Sequence, residues 1–134
     1  MANPTHIAPW RRGVEAWNEW RRREPSASPD LSAADLRGVD LYFGANLRGA
    51  DLQHTDVSSA ILDGALLTGA KLRNANLGKS SLRKTVWKAA DARDVRLAEA
   101  DLHGEGVDRL AISSQPVGRG ELRPLRRGGA RSRL

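Results

Sequence analysis

Residues 45–77 read ANLRGADLQHTDVSSAILDGALLTGAKLRNANL, and the period within that stretch decides the fold. A large apolar residue recurs every fifth position, at Leu47, Leu52, Val57, Leu62, Leu67, Leu72 and Leu77. Two residues ahead of each stands a small one: Ala45, Ala50, Thr55, Ala60, Ala65, Ala70 and Ala75. A five-residue period matches neither an α-helix nor a simple alternating strand. The two-residue spacing inside each unit is extended geometry, which points both side chains to one side. The other three positions face outward or turn a corner. Units that each form one side close a square after four, so every twentieth residue stacks on its counterpart in parallel register, about 4.8 Å higher. The right-handed preference of parallel crossovers sets the hand of the coil.

The pattern extends in both directions. Towards the N-terminus it continues through one extra residue, at Tyr42–Gly44, to Leu41, Leu36 and Leu31. That insertion reads as a bulge at a corner of the first coil. Towards the C-terminus the large positions are Leu82, Trp87, Ala92, Leu97 and Leu102. The small column runs from Ala34 to Ala100 and breaks at Glu105. Trp87 is too large for a leucine slot and Ala92 is unusually small for one, which suggests an exchange of volume between adjoining units. The solenoid is expected over 30–107, as about four coils.

Segments such as AADLRGVDL (33–41), GANLRGADL (44–52) and GAKLRNANL (69–77) resemble the pentapeptide-repeat family. The resemblance implies that family's all-β solenoid, a right-handed quadrilateral parallel β-helix. It says little about function, because the repeating residues are structural.

A solenoid needs covered ends. Residues 10–24, WRRGVEAWNEWRRRE, place Trp10, Val14, Trp17 and Trp20 on one helical stripe, so a capping helix is expected there after a leader at 1–9. The stretch PSASP at 25–29 stops that helix and links it to the first coil. At the other end, Val107, Leu110 and Ile112 are expected to fold over the last coil. Residues 108–134 complete the chain with cap residues and an Arg/Gly-rich tail, expected to be disordered in isolation. An uncovered final edge would invite another molecule, and the resemblance implies a homodimer through that end.

The net charge of +6 belongs to the tail. Residues 109–134 carry seven arginines against Glu121, whereas the preceding residues balance 15 basic with 15 acidic side chains. The chain has no cysteine, which excludes disulfides, thiolate zinc sites and thiol catalysis. The opening residues lack the apolar run of a secretory signal, and no stretch approaches the ~20 apolar residues of a membrane span. A cytoplasmic protein is expected.

Nothing in the sequence points to catalysis. His6 falls in the leader, while His54 and His103 fall on outward positions of different sides. No pair has metal-ligand spacing, and no Ser-His-Asp grouping is readable. The Asp residues that recur between the small and large columns face outward, some with Arg two positions on (Asp35/Arg37, Asp91/Arg93). Gly118–Gly120 lacks the strand–helix context of a phosphate loop. The chain is therefore expected to be non-enzymatic, without cofactor or metal.

Three binding classes follow. Phe43, Ile61, Leu66 and Val86 fall on outward positions around one corner, beside a side whose outward charges are basic. Contiguous exposed apolar area marks interaction surfaces, so these four are the candidate partner-binding residues of a protein-interaction scaffold. Arg123, Arg126, Arg127, Arg131 and Arg133 give the tail the character of segments that hold nucleic acid or an anionic surface weakly. The resemblance also implies a third class, because some family members mimic DNA and shield topoisomerase. That role needs a long acidic surface, and this body is short and neutral.

Overall fold

The computed structural model describes residues 1–104. From Asp30 onward the chain winds as a solenoid whose coils are joined by parallel main-chain pairing, one short contact per side. The register records the insertion. Asp30 pairs with Asp51, Asp35 with Asp56 and Asp40 with Ile61, twenty-one residues apart; from Asn46–Leu66 to Ser81–Asp101 the separation is twenty. The extra residue is thus absorbed at Tyr42–Gly44, within the first coil. Leu52 N–H donates to Lys71 O at 2.7 Å, His54 N–H to Arg73 O at 3.0 Å, and Lys71 N–H reaches back to Ala50 O at 2.9 Å. This three-bond pattern recurs around the coils and satisfies the main chain without long strands.

Each corner is a β-turn. At most corners the N–H that follows the corner residue bonds to the carbonyl of the large residue three positions earlier, as in Ala65 to Leu62 at 3.0 Å and Ala70 to Leu67 at 2.9 Å. The corner residue itself is left-handed: His54, Ser59, Lys79 and Lys84 have φ near +60°, and Gly64 has φ +74°. Where an Asp or Asn precedes the large residue, it brings the corner into shape. Its side-chain oxygen accepts the N–H two residues on, as Asp51 does from Gln53, Asp56 from Ser58 and Asn76 from Gly78. This local turn is what short polar side chains do well. Ser81 lacks such an oxygen, and Asp63 of the coil before supplies it, accepting from both Ser81 Oγ and Arg83 N–H.

The core is the stack of large and small columns. Leu31, Leu52, Leu72 and Ala92 line one side, Leu36, Val57, Leu77 and Leu97 the next, then Leu41, Leu62, Leu82 and Leu102, then Leu47, Leu67 and Trp87; all are buried. Each buried leucine contributes roughly 1.5–3 kcal/mol. Trp87 lies inside the pillar, donating from Nε1 to Thr85 Oγ1, which in turn donates to Leu82 O at 2.8 Å. Its bulk stands next in sequence to the Ala92 slot, so the oversized and undersized positions both belong to the interior.

The N-terminal end differs from the expected leader and single helix. Two helices, α1 (Pro4–Arg11) and α2 (Val14–Arg23), pack together over the first coil. α1 contains two prolines, Pro4 and Pro9. Pro4 stands in the first turn, where its missing N–H is harmless, and Asn3 caps the helix by accepting from Thr5 N–H at 2.9 Å. The break between the helices comes at Gly13, whose φ of +103° turns the chain. Trp10 and Trp17 are fully buried and meet edge to face at 5.6 Å, while Val14 and Trp20 pack half-buried against the same core. Pro29 belongs to the coil, because its carbonyl accepts from Asp51 N–H at 2.8 Å.

The cap also imitates the missing coil in hydrogen bonding. Trp17 Nε1 donates to Asn46 O at 2.6 Å, Asn18 bridges Gly44 O and Asn46 N–H, and Arg21 donates to Arg48 O at 2.9 Å. Arg11 donates to Asp35 O, Asn3 N–H to Asp30 O, and His6 Nδ1 accepts from Asp30 N–H at 2.8 Å. An open sheet edge that would otherwise attract another chain is thereby occupied.

Candidate protein-interaction surface

The corner between the Leu62 and Leu67 sides carries the apolar residues singled out by the sequence. Phe43 is 58 % exposed, Ile61 37 % and Val86 39 %; Leu66 is half-buried between them. Leu66 and Val86 are paired in successive coils, so their Cα atoms lie about 4.8 Å apart along the pillar. Phe43 is brought to this corner by the inserted residue. Its ring lies against Gly64, where an added Cβ would come within 2.4 Å of the ring. Glycine there lets the aromatic lie on the next coil and extend the apolar strip. Tyr42, 62 % exposed, stands beside it with ring centroids 5.6 Å apart. Tyr42 was not singled out in the sequence, although its exposure matches that of Phe43. α1 and α2 cover the end of the first coil and leave this corner open.

The charges around the corner are uneven. The Leu67 side presents Arg48 and Lys88, both exposed, with Thr68 between them. Lys84 is exposed at the corner, below Gly104. Asp63, near Ile61, has its carboxylate engaged by Ser81 and Arg83 N–H, with the Arg83 guanidinium at 3.9 Å.

Several of the other charged residues are locally occupied. Arg37 and Arg93 fork onto Asp35 and Asp91, the two pairs anticipated from their spacing, at 2.7 Å. The hydrogen bonds from each guanidinium hold both carboxyls down at about 2. Burial, followed by the neighbouring charge of Arg48, lowers the pKa of Arg21. His54 and His103 are exposed, and His103 Nδ1 meets Asp101, while His6 serves the cap. Among the described residues no three His, Asp or Glu side chains form a group able to hold a metal, and no helix is long and apolar enough to cross a membrane. The tail arginines 123, 126, 127, 131 and 133, the closing residues 107, 110 and 112, and the C-terminal edge expected to form a dimer lie outside the described residues.

The sequence profile described as "Pentapeptide repeats (8 copies)" matches residues 30–69, 45–83 and 70–104, which together span the described part of the solenoid. This chain belongs to the pentapeptide repeat family. As such it is a right-handed β-helix solenoid, in agreement with the stacked parallel coils. Among solved structures it is similar to alr5209, a pentapeptide repeat protein from Nostoc Pcc 7120, at 28 % identity over 68 % of this chain and 76 % of that one, with a TM-score of 0.38. No curated protein matches the chain. Pentapeptide repeat proteins are generally structural rather than enzymatic.

Proposed function

We propose that this pentapeptide repeat protein is a non-catalytic scaffold that binds a protein partner through the corner formed by Phe43, Ile61, Leu66 and Val86. The supporting observation is that four apolar side chains run continuously along the pillar in the open, while the repeat places polar or charged residues at most equivalent positions. Isolated exposed apolar residues are common, whereas a contiguous strip marks contact with another molecule. A rigid pillar suits this role, because its main chain is fixed on every side and little conformational entropy is lost on binding.

The test is affinity capture from the native host with the full-length chain and with the Leu66→Ser/Val86→Ser variant. Circular dichroism and urea unfolding establish that the variant keeps the fold. A partner recovered by the parent and lost by the folded variant supports the proposal; equal recovery by both refutes it.

A further inference from the structure

We infer that the partner at this corner is an acidic amphipathic protein segment, whose aliphatic or aromatic side chains meet the strip while its carboxylates meet the basic border. The inference rests on the reading of the strip as the partner site and specifies what that site recognises. Its basis is the sign of the charge on the Leu67 side of the strip, which is basic, whereas the Ile61 side carries Asp40 and the engaged Asp63. Arg48, Lys84 and Lys88 surround Leu66 and Val86, all three are exposed, and among the described residues none of them is ion-paired. Elsewhere on the pillar Arg37, Arg73, Arg83 and Arg93 each face an aspartate within 4 Å, while Lys71, Lys79 and Arg96 are exposed without an ion pair among the described residues but lie away from the strip. Outward positions of the Leu67 side carry no carboxylate: they are Asn46, Leu66 and Val86 before the large residues, and Arg48, Thr68 and Lys88 after them.

Charge separates the candidate occupants. A second copy of this chain would set the same basic border against itself. The chain's own segment 109–134, with seven arginines and one glutamate, is repelled in the same way. Nucleic acid matches the cations but offers its phosphates nothing to do with Ile61, Leu66 and Val86. An acidic segment with apolar residues at helical i, i+3 or i+4 spacing satisfies both features, because such side chains stand about 5–6 Å apart and the coils repeat at about 4.8 Å. Complementary charge of this kind steers encounter and excludes wrong partners.

The test selects random peptides displayed on phage against the immobilised full-length chain. Selected peptides are then synthesised and titrated by fluorescence polarisation against the parent, L66S/V86S and R48E/K88E. The inference expects selected sequences that combine Asp or Glu with Leu, Ile or Phe, binding that weakens at least tenfold on each variant, and weaker binding as salt rises. Replacing the peptide's acids with lysine should transfer preference to R48E/K88E. Selected peptides that depend on Leu66 and Val86 but are neutral or basic, and are indifferent to R48E/K88E, overturn the acidic assignment and leave the strip as a partner site. Absence of any peptide that depends on Leu66 and Val86 overturns both. A labelled single-stranded oligonucleotide runs in parallel; binding lost on R48E/K88E but kept on L66S/V86S overturns the inference in favour of nucleic acid.

Discussion

Trp17 is the residue on which the N-terminal cap turns. Its ring is fully buried between Trp10 and Trp20, and its Nε1–H donates to Asn46 O at 2.6 Å, standing in for the coil that would precede the first one. Trp17→Phe keeps an aromatic in place but removes that donor and part of the ring. Leaving a part-buried carbonyl without a partner costs about 1–3 kcal/mol, and the lost ring area adds roughly 1 kcal/mol more at ~25 cal/mol per Å². Trp17→Ala, which also opens a cavity, should cost about 3–5 kcal/mol. Urea unfolding followed by far-ultraviolet circular dichroism measures both losses. Because each coil contacts mainly its neighbours, the damage should concentrate at the capped end. Hydrogen exchange should therefore accelerate more at Leu31, Leu36 and Leu47 N–H than at Leu72 or Leu77 N–H, all of which bond to the next coil. A Trp17→Phe protein within about 0.5 kcal/mol of the parent, a change typical of an inconsequential surface substitution, would refute the view that the helices complete the solenoid's hydrogen bonding.

Other consequences can be measured in the same way. Thr85→Val keeps the shape at the Trp87 site but leaves the buried indole N–H without its acceptor, so stability should fall by about 1–3 kcal/mol; an unchanged urea midpoint would contradict that role. Gly64→Ala places a methyl where the Phe43 ring now lies and in a left-handed corner, so a loss of about 1 kcal/mol is expected, and a crystal structure of the variant should show the ring displaced. Asp35 and Asp91 have folded-state values depressed to about 2, below the ordinary aspartate value of about 3.9. Their stabilisation is therefore complete above about pH 4 and is lost as pH falls through about 2. Both pairs are exposed, so the effect is small. The urea midpoint of Asp35→Asn/Asp91→Asn should decline less steeply from pH 4 to 2 than that of the parent, and parallel declines would show the pairs contribute nothing.

The interior was legible in the sequence because a five-residue period leaves little freedom. Once Leu52, Leu72 and Ala92 face one way, every outward position is assigned, including Ile61, Leu66 and Val86. The insertion was legible for the same reason, since one extra residue displaces the whole register. The cap was legible only in part. The tryptophan stripe announced it, but Pro4 and Pro9 concealed α1, and no periodicity marks Asn18, Arg21 or His6 as donors and acceptors for main-chain groups distant in sequence. The aspartates were read as outward charge, yet Asp51 and Asp56 act chiefly as turn-forming acceptors, a role visible only once the corner geometry is known. Nor does a linear pattern show that Gly64 exists to receive Phe43. Those two residues are twenty-one apart, and their contact follows from stacking.

That stacking carries both the interior and the surface strip, and a chain without native cysteine allows a direct test. Three variants would be oxidised and examined for an intramolecular disulfide: Leu66→Cys/Val86→Cys, Leu66→Cys/Ser81→Cys and Leu66→Cys/Asp91→Cys. Four units per coil place Leu66 beside Val86 at about 4.8 Å, within the range of about 4.4–6.8 Å that a disulfide spans. The first pair should therefore close readily while the other two stay reduced. Closure of the 66–81 or 66–91 pair in preference to 66–86 would mean a coil of three or five units, and would separate the residues on which the binding surface depends.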